Sequence, residues 1–398
     1  MTSSTRRTAS IALIVALGGF LMGFDASVIA GVVGAIEVEF ALSKIQLGWS
    51  VSSLSLTATL GMLLSGPISD RIGRRPVLMI AAILFALSAV TSAIAPDFLS
   101  FILARMLGGF GVGAALIIAP MYIAEIAPPE QRGRMVSINQ LNIVIGISAA
   151  FFSNYLILSL GESGAAWTQA LGLDTIGWRW MLGVEAIPAV AYFLALFVVP
   201  ESPRWLVMQG RDDDARSVVE RVRGPAESEA LLAQVHGSLN AEEKLGKVSF
   251  RTLLHPSLRL VLTIGLAVGI LQQATGINAV FFYAPMIFEQ TGVGTNAAFM
   301  QAVLVGLVNL VFTVLAMALI DKLGRRPLLG FGLGGIAVCM LVLSYGFGSA
   351  TYQLDQEAID SLPAGIEGAQ IAAVVDETFH SDVAFRDAVR ATIGREAY

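Results

Sequence analysis

Long apolar stretches recur along most of the chain and constrain its fold more than any other feature of the sequence. A segment needs about 20 apolar residues to cross the hydrocarbon core of a bilayer. In that medium only a helix satisfies all of its own backbone hydrogen bonds, so each stretch is predicted to be a spanning helix. Nine stretches are long enough, at residues 9–36, 47–69, 76–95, 98–124, 135–160, 178–199, 258–288, 297–320 and 328–349.

Charged residues are too few to cover an ordinary soluble protein. They make up 14% of the 398 residues, against about 25% in a typical soluble domain. The single cysteine, Cys339, excludes a disulfide scaffold and a cysteine-based zinc or iron–sulfur site. The three histidines are scattered, so we expect no metal and no other cofactor. A net charge of −5 argues against binding to nucleic acid.

Lysine and arginine collect in alternate loops, and this pattern predicts the orientation of the chain. Arg6 and Arg7 precede the first stretch, and basic residues recur in every second loop after it. The intervening loops contain little more than Lys44. Because loops rich in lysine and arginine face the cytoplasm, we expect a multi-pass protein of the cell membrane with a cytoplasmic N-terminus.

Two polar segments separate the predicted domains. Residues 201–257 carry many charges, and their apolar positions recur every three to four residues, which predicts a cytoplasmic linker of short amphipathic helices. Residues 350–398 are polar and acidic, and nine spans place them outside the cell. The predicted domains are a six-helix bundle at 1–200, the linker at 201–257, three helices at 258–349 and an external segment at 350–398.

A seven-residue motif occurs twice, in loops that are six spans apart. It reads DRIGRRP at residues 70–76 and DKLGRRP at residues 321–327. Each copy joins two consecutive predicted spans on the predicted cytoplasmic side. A motif repeated at that offset indicates a duplicated six-helix half, which is typical of two-bundle transporters.

Further motifs follow one another in a characteristic order. They are GFDASVIAG in the first stretch, RMLGGFGVG and PMYIAEIAPPEQRG around the fourth, WRWM and PESPRWL around the sixth, and QQATGINAVFFYAP in the seventh. Together with the repeat, these motifs resemble the sugar porter family of the major facilitator superfamily. The resemblance implies an all-α membrane protein of the major facilitator fold. Members of the family have twelve spans. We therefore expect a fragment or truncated form, with a complete N-terminal six-helix bundle and the first three helices of the C-terminal bundle.

Asp25 and Arg105 are opposite charges inside predicted spans, where an isolated charge is costly and usually functional. They lie eleven and seven residues from the same end of their spans, a difference in depth of about 6 Å at 1.5 Å per residue. An arginine side chain bridges that distance, so we predict that the two residues pair. One interpretation is a static ion pair that fixes helix packing. We favour proton coupling, because the resemblance implies that Asp25 carries a proton in proton-coupled members.

Carboxamides form a polar patch in the seventh stretch and suit the paired hydroxyl groups of a sugar. Gln272 and Asn278 point about 120° apart on a straight helix, so we expect local unwinding near Gly276 to turn both toward one cavity. Bonding between helices is the alternative interpretation. The residues that match sugar-contacting positions of the family, including an aromatic near its outer gate, are Gln140, Gln272, Gln273, Asn278, Tyr283 and Asn309.

Charged residues at the predicted cytoplasmic helix ends form a third group. They anchor the protein against the cytoplasmic surface in the simpler interpretation. The resemblance adds salt bridges that hold the two bundles together when the inner gate is shut. The predicted cytoplasmic gate comprises Asp70, Arg74, Arg75, Glu125, Arg132, Glu201, Arg204, Asp321, Arg325 and Arg326.

Two further features lie within the spans. Glu185 is a second intramembrane acid, and we expect it to have a structural role because no partner is evident. Gly108, Gly109, Gly111 and Gly113 fall in one span and predict close approach between helices.

The sequence thus predicts secondary transport of a sugar or polyol by proton symport, with sugar, protons and the lipid bilayer as its partners. A proton-independent facilitator and a non-transporting sugar sensor on the same scaffold are the alternatives. An enzyme is disfavoured because no nucleophile–base or metal constellation is visible. The glycine pattern at residues 330–335 resembles a dinucleotide fingerprint, but no strand precedes it.

Overall fold

The computed structural model describes residues 3–128, 131–245, 255–353, 377–380, 384–385, 388–389 and 391. The chain divides into two compact units, residues 1–318 and residues 319–398. In the described residues the first unit contains the helices of the first bundle, the polar linker and the helices that follow it. The second unit contains the last long helix and the described part of the polar segment.

Eight helices in the described part of the chain are long and apolar enough to cross a membrane. They match eight of the nine predicted stretches. Those outside the seventh stretch are α1 (Ser3–Val28), α3 (Lys44–Ile72), α4 (Arg74–Ala93), α5 (Phe98–Ile126), α6 (Arg132–Glu162), α16 (Thr295–Leu323) and α17 (Arg325–Gly348). A 3₁₀ turn at Ile29–Gly31 and a short helix, α2 (Val33–Glu39), continue the first stretch.

The sixth predicted stretch is helical but interrupted, whereas its apolar pattern predicts one continuous helix. After the short α7 (Ala166–Ala170), it forms α8 (Gly177–Gly183) and α9 (Ala186–Ala195). Pro188 explains the break, because in a continuous α-helix its ring would clash with the backbone carbonyl of Val184, four residues earlier. Glu185 therefore lies at the junction of two helices rather than inside one.

The seventh stretch is unwound where the sequence predicted it. α13 (Arg259–Ala274) ends beside Gly276, whose φ of +77° lies in the left-handed region that glycine tolerates. The chain then resumes as α14 (Ile277–Phe282) and α15 (Ala284–Glu289). The expected unwinding near Gly276 is confirmed, whereas a single cavity that both Gln272 and Asn278 face stays a prediction.

The first bundle is held together by helices that approach closely at glycines. α5 packs against α3 and α4, and α1 packs against α6. A side chain at Gly109 would overlap Thr57 on α3, and one at Gly111 would press on the backbone carbonyl of Ala81 on α4. A side chain at Gly113 would overlap the backbone of α3 in the same way. The predicted close approach is confirmed.

Basic residues mark one end of this bundle, which we call the arginine-rich end. Gly73 there has a φ of +105°, and α4 begins at the next residue. Gly324 in the second copy of the motif has a φ of +81°, and α17 begins directly after it. The duplicated motif therefore has the same backbone conformation twice, a positive φ that places a new helix after a sharp turn.

Linker helices cover part of the arginine-rich end. They are α10 (Pro203–Met208), α11 (Asp212–Arg223) and α12 (Pro225–Leu245). Trp205 donates from its indole nitrogen to the backbone carbonyl of Asp70 at 3.0 Å, and Gln209 donates to the same oxygen at 3.2 Å. A small apolar core of Leu206, Val207 and neighbouring residues joins these helices to one another.

A polar and aromatic cluster joins three helices at the opposite end, and we call it the Glu39 clamp. Arg179 at the start of α8 donates to Glu39 at 2.8 Å and to the backbone carbonyls of Ala93 and Ala95 at 3.0 and 2.8 Å. Its guanidinium lies 4.3 Å from the ring centre of Trp178, whose indole nitrogen also donates to Glu39 at 2.8 Å. The clamp fixes the ends of α2, α4 and α8 relative to one another.

The predicted external segment lies mostly outside the described residues. Within the second unit, Tyr352 and Phe379 exchange two backbone hydrogen bonds of 2.8 and 2.9 Å, and the ring of Phe385 packs against both of their rings.

Candidate functional site

A buried ion pair lies in the interior of the first bundle. The Nη1 atom of Arg105 on α5 donates to Oδ1 of Asp25 on α1, and Nη2 donates to the backbone carbonyl of Asp25 at 3.0 Å. Both residues are only 1% exposed. The predicted pairing is confirmed, whereas its role in proton transfer stays a prediction.

The pair is incompletely satisfied by its neighbours. Neither Oδ2 of Asp25 nor Nε of Arg105 has a hydrogen-bond partner in the described part of the chain. Gly108 and Ser88 lie beside the carboxylate: a Cβ at position 108 would be 2.5 Å from Ser88 Oγ and 2.9 Å from Asp25 Oδ2. A buried carboxylate with an unused oxygen is a group that can accept a proton without breaking its existing bond to arginine.

Glu185, for which the sequence predicts a structural role, is a further buried acid of the first unit. It is 2% exposed, and its Oε1 atom has no hydrogen-bond partner among the described residues. The charges of Asp25 and Arg105 both act on its carboxyl group, and its structural role stays a prediction. The sequence signal for this site is an acid in an apolar stretch, three residues before Pro188. The residues that surround Glu185 depend on the helix break, so they cannot be derived from helical spacing.

The predicted sugar-contacting amides occupy three parts of the first unit. Asn278 donates to Oε1 of Gln273 at 2.7 Å across the Gly276 break. Gln140 on α6 and Gln272 on α13 are exposed, whereas Asn309 on α16 is half-buried. Tyr283 packs against the apolar cluster that contains Phe24. No hydrogen bond between described residues joins Gln140 or Asn309 to the α13–α14 amides, and their role in sugar binding stays a prediction.

The predicted gate residues of the first bundle form a network around the start of α4. Arg74 is 3% exposed, and its guanidinium nitrogens lie 3.2 Å from Glu125 and 3.0 Å from Asp70. The carboxylate of Glu201 accepts from the backbone nitrogen atoms of Arg74 and Arg75, at 3.0 Å for Arg74 and 3.3 Å for Arg75. Glu201 thereby caps the N-terminus of α4.

A cavity of about 540 Å³ lies against this network. Its lining includes Asp70, Arg74, Glu125, Arg132 and Arg204, so the structure brings five of the ten predicted gate residues around one space. Burial raises the pKa of Glu201, and the backbone donors and Arg74 only partly offset that effect.

The other gate residues are less informative. Arg75 donates to the backbone carbonyls of Leu196 and Phe197 at 3.0 and 3.1 Å, at the end of α9. Arg325 and Arg326 are exposed, and the side chain of Asp321 lies outside the described residues. The network joins helices of the first bundle and the segment after α9, so a latch between two bundles stays a prediction.

Comparison with known proteins places the chain in a family. The family model described as "Sugar (and other) transporter" matches residues 11–375. The chain belongs to this family. The sugar transporter family is a family of transporters rather than enzymes, and the spanning helices make this member a multi-pass membrane protein.

Two of the similar relatives are named as sugar–proton symporters. The arabinose-proton symporter of Bacillus subtilis strain 168 is 40% identical over 331 residues, which cover 83% of this chain and 69% of the relative. The D-xylose-proton symporter of Escherichia coli strain K12 is 38% identical over 364 residues, covering 85% of this chain and 72% of the relative.

Solved structures share the fold. The proton:xylose symporter XylE bound to 6-bromo-6-deoxy-D-glucose matches with a TM-score of 0.73 at 36% identity, over 87% of this chain and 76% of that one. The inward open conformation of the xylose transporter XylE from E. coli gives a TM-score of 0.70 at 34% identity, over 90% of this chain and 76% of that one. This sugar transporter family member is an all-α membrane protein of the major facilitator fold.

Proposed function

We propose that the protein moves a sugar or polyol across the cell membrane together with a proton, with the arginine-rich end facing the cytoplasm. The buried pair of Asp25 and Arg105 carries the proposal, because a family member that moved sugar alone would have no need of a titratable acid at that depth. The relatives named as arabinose–, xylose– and galactose–proton symporters support the same conclusion.

The proton step uses the two contacts of Arg105. When Asp25 takes up a proton, its attraction to Arg105 weakens, while the bond from Nη2 to the backbone carbonyl of Asp25 does not depend on that charge. The surroundings of Arg105 then carry one negative charge fewer, and Glu185 is the remaining nearby acid. Loading and release of the proton therefore change the charge balance among three buried groups without requiring a large movement of any of them.

Sugar recognition is assigned to the amides of α6, α13, α14 and α16. Each amide offers donors and an acceptor, and a hydroxyl group of a sugar needs both. The Gly276 break supports this role, since it turns Asn278 toward Gln273 rather than away from it. Analogues that lack a contacted hydroxyl group would leave an amide unpaired and bind less tightly.

The decisive experiment compares Asp25→Asn with the unmodified protein in energised membrane vesicles. We expect the variant to lose accumulation of sugar against a gradient while it retains exchange of labelled for unlabelled sugar, because asparagine cannot carry a proton. Arabinose, xylose, galactose and glucose form the first panel of substrates. Asp174→Asn, which changes an exposed aspartate in the loop before α8, serves as the control.

Each alternative result has a definite meaning. Accumulation that survives in Asp25→Asn would reject proton coupling through this residue. Uptake by the unmodified protein that never exceeds equilibrium would indicate a facilitator, and absence of uptake and exchange for every sugar tested would reject sugar transport.

A further inference from the structure

One face of α4 carries two buried hydroxyl groups, those of Ser88 and Ser92. Ser88 is 2% exposed and Ser92 is 1% exposed, and the two positions are one helical turn apart, so both lie on the same face of the helix. The Oγ atom of Ser92 has no hydrogen-bond partner in the described part of the chain. Since buried polar atoms nearly always bond to protein or to ordered water, this hydroxyl group marks a place where water can bind.

The hydroxyl group of Ser88 lies beside the ion pair. Ser88 Oγ is 2.5 Å, and Asp25 Oδ2 is 2.9 Å, from the point at which a side chain on Gly108 would place its Cβ. This Asp25 oxygen is the one that the bond from Arg105 leaves unused, and it too lacks a partner among the described residues. Ser88 and the carboxylate are therefore close enough for one water molecule to bridge them.

The hydroxyl group of Ser92 lies near the end of the bundle that the Glu39 clamp covers. Ser92 is the penultimate residue of α4, and Arg179 of the clamp donates to the backbone carbonyl of the last residue, Ala93. Ser92 is about 6 Å further along the helix axis than Ser88. The two hydroxyl groups therefore follow one another between the clamp and Asp25.

A third unpartnered oxygen lies beside this part of α4. Both α8 and α9 pack against α4, and a Cβ at Gly183 would lie 3.4 Å from the Cβ of Ala93. Glu185 follows two residues after Gly183, is 2% exposed, and its Oε1 atom has no partner among the described residues. Unsatisfied oxygens of α1, α4 and the α8–α9 junction thus collect in one region of the bundle interior. Such a polar region suits a short chain of hydrogen-bonded water molecules.

This region lies on the opposite side of α1 from the amide of α6. Gly23 packs so closely on α6 that a Cβ there would overlap the backbone carbonyl of Ile143. Asp25 is two residues further along α1, a rotation of about 200°, and its carboxylate bonds to Arg105 on α5. The backbone of α1 therefore lies between the surface of α6, which carries Gln140, and the Asp25 carboxylate.

We propose that protons reach Asp25 from the end opposite the arginine-rich end, through the hydroxyl groups of Ser92 and Ser88 and the water molecules between them. This route lies within the first bundle and is separate from the sugar passage. The inference rests on the proposed function, which assigns the proton to Asp25. Each hydroxyl oxygen accepts a proton from its outer neighbour and releases its own proton inward. Oδ2 of Asp25 takes the last proton, so its carboxylate becomes a neutral acid and each serine ends unchanged.

Infrared spectroscopy after a pH jump measures the arrival of this proton in the purified protein in liposomes. The carboxylic acid band that is missing in Asp25→Asn belongs to Asp25, and Glu185→Gln identifies the band of the neighbouring acid. After a jump from high to low pH, we expect the Asp25 band to grow about tenfold more slowly in Ser92→Ala than in the unmodified protein. This effect is smaller than the roughly 100-fold loss typical for a positioned proton-transfer group, because water can occupy part of the vacated space. Ser88→Ala should act in the same way, whereas Ser92→Thr keeps the hydroxyl group and should retain most of the rate.

A matched control separates a proton route from a general effect of removing a buried serine. Ser50 on α3 is fully buried, and its hydroxyl group donates to the backbone carbonyl of Leu47 in its own helix at 2.6 Å, so Ser50→Ala should leave the rate unchanged. The pH at which the Asp25 band is half-formed should be the same in Ser92→Ala as in the unmodified protein, because a serine carries no charge. An unchanged rate in Ser92→Ala, an equal slowing in Ser50→Ala, or a shifted midpoint with an unchanged rate would overturn the proposal.

Sugar assays on the same variants separate this inference from the proposed function. Exchange of labelled for unlabelled sugar should be unaffected in Ser92→Ala, because this hydroxyl group lies away from the sugar passage. Slowed protonation in Ser92→Ala, combined with no sugar uptake by the unmodified protein, would leave the route standing and reject sugar transport. Proton-driven uptake together with an unchanged rate of protonation would reject the route alone. Absence of any Asp25 band at every pH would reject both the route and proton coupling through Asp25.

Discussion

Gly108 determines how closely α5 can approach the Asp25 carboxylate. The Cβ of any other residue would meet Ser88 Oγ at 2.5 Å and Asp25 Oδ2 at 2.9 Å, closer than real Cβ contacts come. Since Asp25 and Arg105 are both fully enclosed, neither side chain can move aside into solvent. The missing side chain at position 108 therefore makes room for the ion pair.

We predict that Gly108→Ala destabilises the purified protein by about 1–3 kcal/mol, the usual cost of overpacking an enclosed site. The measurement is the thermal unfolding midpoint in detergent, accompanied by proton-driven uptake. Gly66→Ala is the matched control, because a Cβ at that position on α3 meets nothing within 4 Å. Adding Ser88→Ala removes the nearest obstacle and should restore part of the loss. A midpoint equal to that of Gly66→Ala would contradict the prediction.

The carboxyl group of Glu201 makes the free energy of unfolding depend on pH. Because burial raises its pKa in the folded protein, folding disfavours its carboxylate form relative to the unfolded chain. The folded state then binds more protons than the unfolded state between the ordinary pKa of 4.5 and the raised value. Stability consequently falls as the pH rises through that window.

The expected result is that Glu201→Gln gains stability relative to the unmodified protein as the pH rises from 4.5 through the raised pKa. Glutamine retains an oxygen that can accept from the backbone of Arg74 and Arg75 but has no charge to bury. Thermal midpoints of both proteins between pH 4 and pH 8 test this, with exposed Glu220→Gln on α11 as the reference carboxylate. A difference between Glu201→Gln and the unmodified protein that shrinks with rising pH would show that the sign is wrong.

Two intramembrane charges were predictable as partners, and a third was not. Asp25 and Arg105 are rare residue types in apolar helices, and a constant rise per residue gives their depths directly from the sequence. The neighbourhood of Glu185 depends on the break that Pro188 imposes, which rotates α8 relative to α9 by an amount that no sequence period supplies. The same reason limits what the sequence predicts about the amides. The unwinding at Gly276 was predictable, but the contact between Asn278 and Gln273 depends on the detailed backbone geometry of that break.

At the scale of elements, the Glu39 clamp ties three helix ends into one unit. The guanidinium of Arg179 donates hydrogen bonds to Glu39 and to two backbone carbonyls at the end of α4, and it packs on the ring of Trp178. Burial favours a higher pKa for Glu39, but hydrogen bonds from Arg179 and Trp178 and the charge of Arg179 hold it below its ordinary value. The carboxylate therefore contributes stability above pH 4.5, and the contribution is lost only as the pH falls through the lowered pKa.

Arg179→Lys should destabilise the protein by about 1–3 kcal/mol, because an ammonium group cannot reach the carboxylate and both carbonyls from one planar fork. The free energy of unfolding in detergent is the measurement. The control is Arg211→Lys, since Arg211 pairs with Asp214 in an exposed position where an ion pair contributes little. Equal losses in the two variants would indicate that the clamp is no stronger than a surface ion pair.

For the whole molecule, the apolar stretches and the repeated motif were sufficient to predict the fold class. Both copies of the motif adopt the same turn, at Gly73 and at Gly324, as a duplicated half requires. The clamp and the close approach of Gly306 on α16 to Phe151 on α6 were not predictable, because they depend on which faces of distant helices meet. Apolar residues in a membrane face lipid as readily as protein, so periodicity alone does not distinguish the two environments.

The orientation of the whole molecule, with the arginine-rich end proposed to face the cytoplasm, can be tested with two epitope insertions. An epitope inserted at Gly164, in the turn after α6, should be detected on intact cells, whereas one at Gly224, between α11 and α12, should need permeabilised cells. Both glycines have a positive φ and open space around them, at +66° and +95°, so the two insertions are structurally matched. Detection of the Gly224 epitope on intact cells would reverse the proposed orientation.

The double contact of Arg105 with Asp25 has a consequence for how the protein moves as a whole. One of its two bonds goes to a peptide carbonyl, which keeps its partial charge whether or not the neighbouring carboxyl is titrated. Under the proposed function, a proton can therefore come and go at Asp25 while α1 and α5 stay fastened to each other. The first six spans would then travel through the cycle as a single rigid body, and the bending would fall on the junctions between halves.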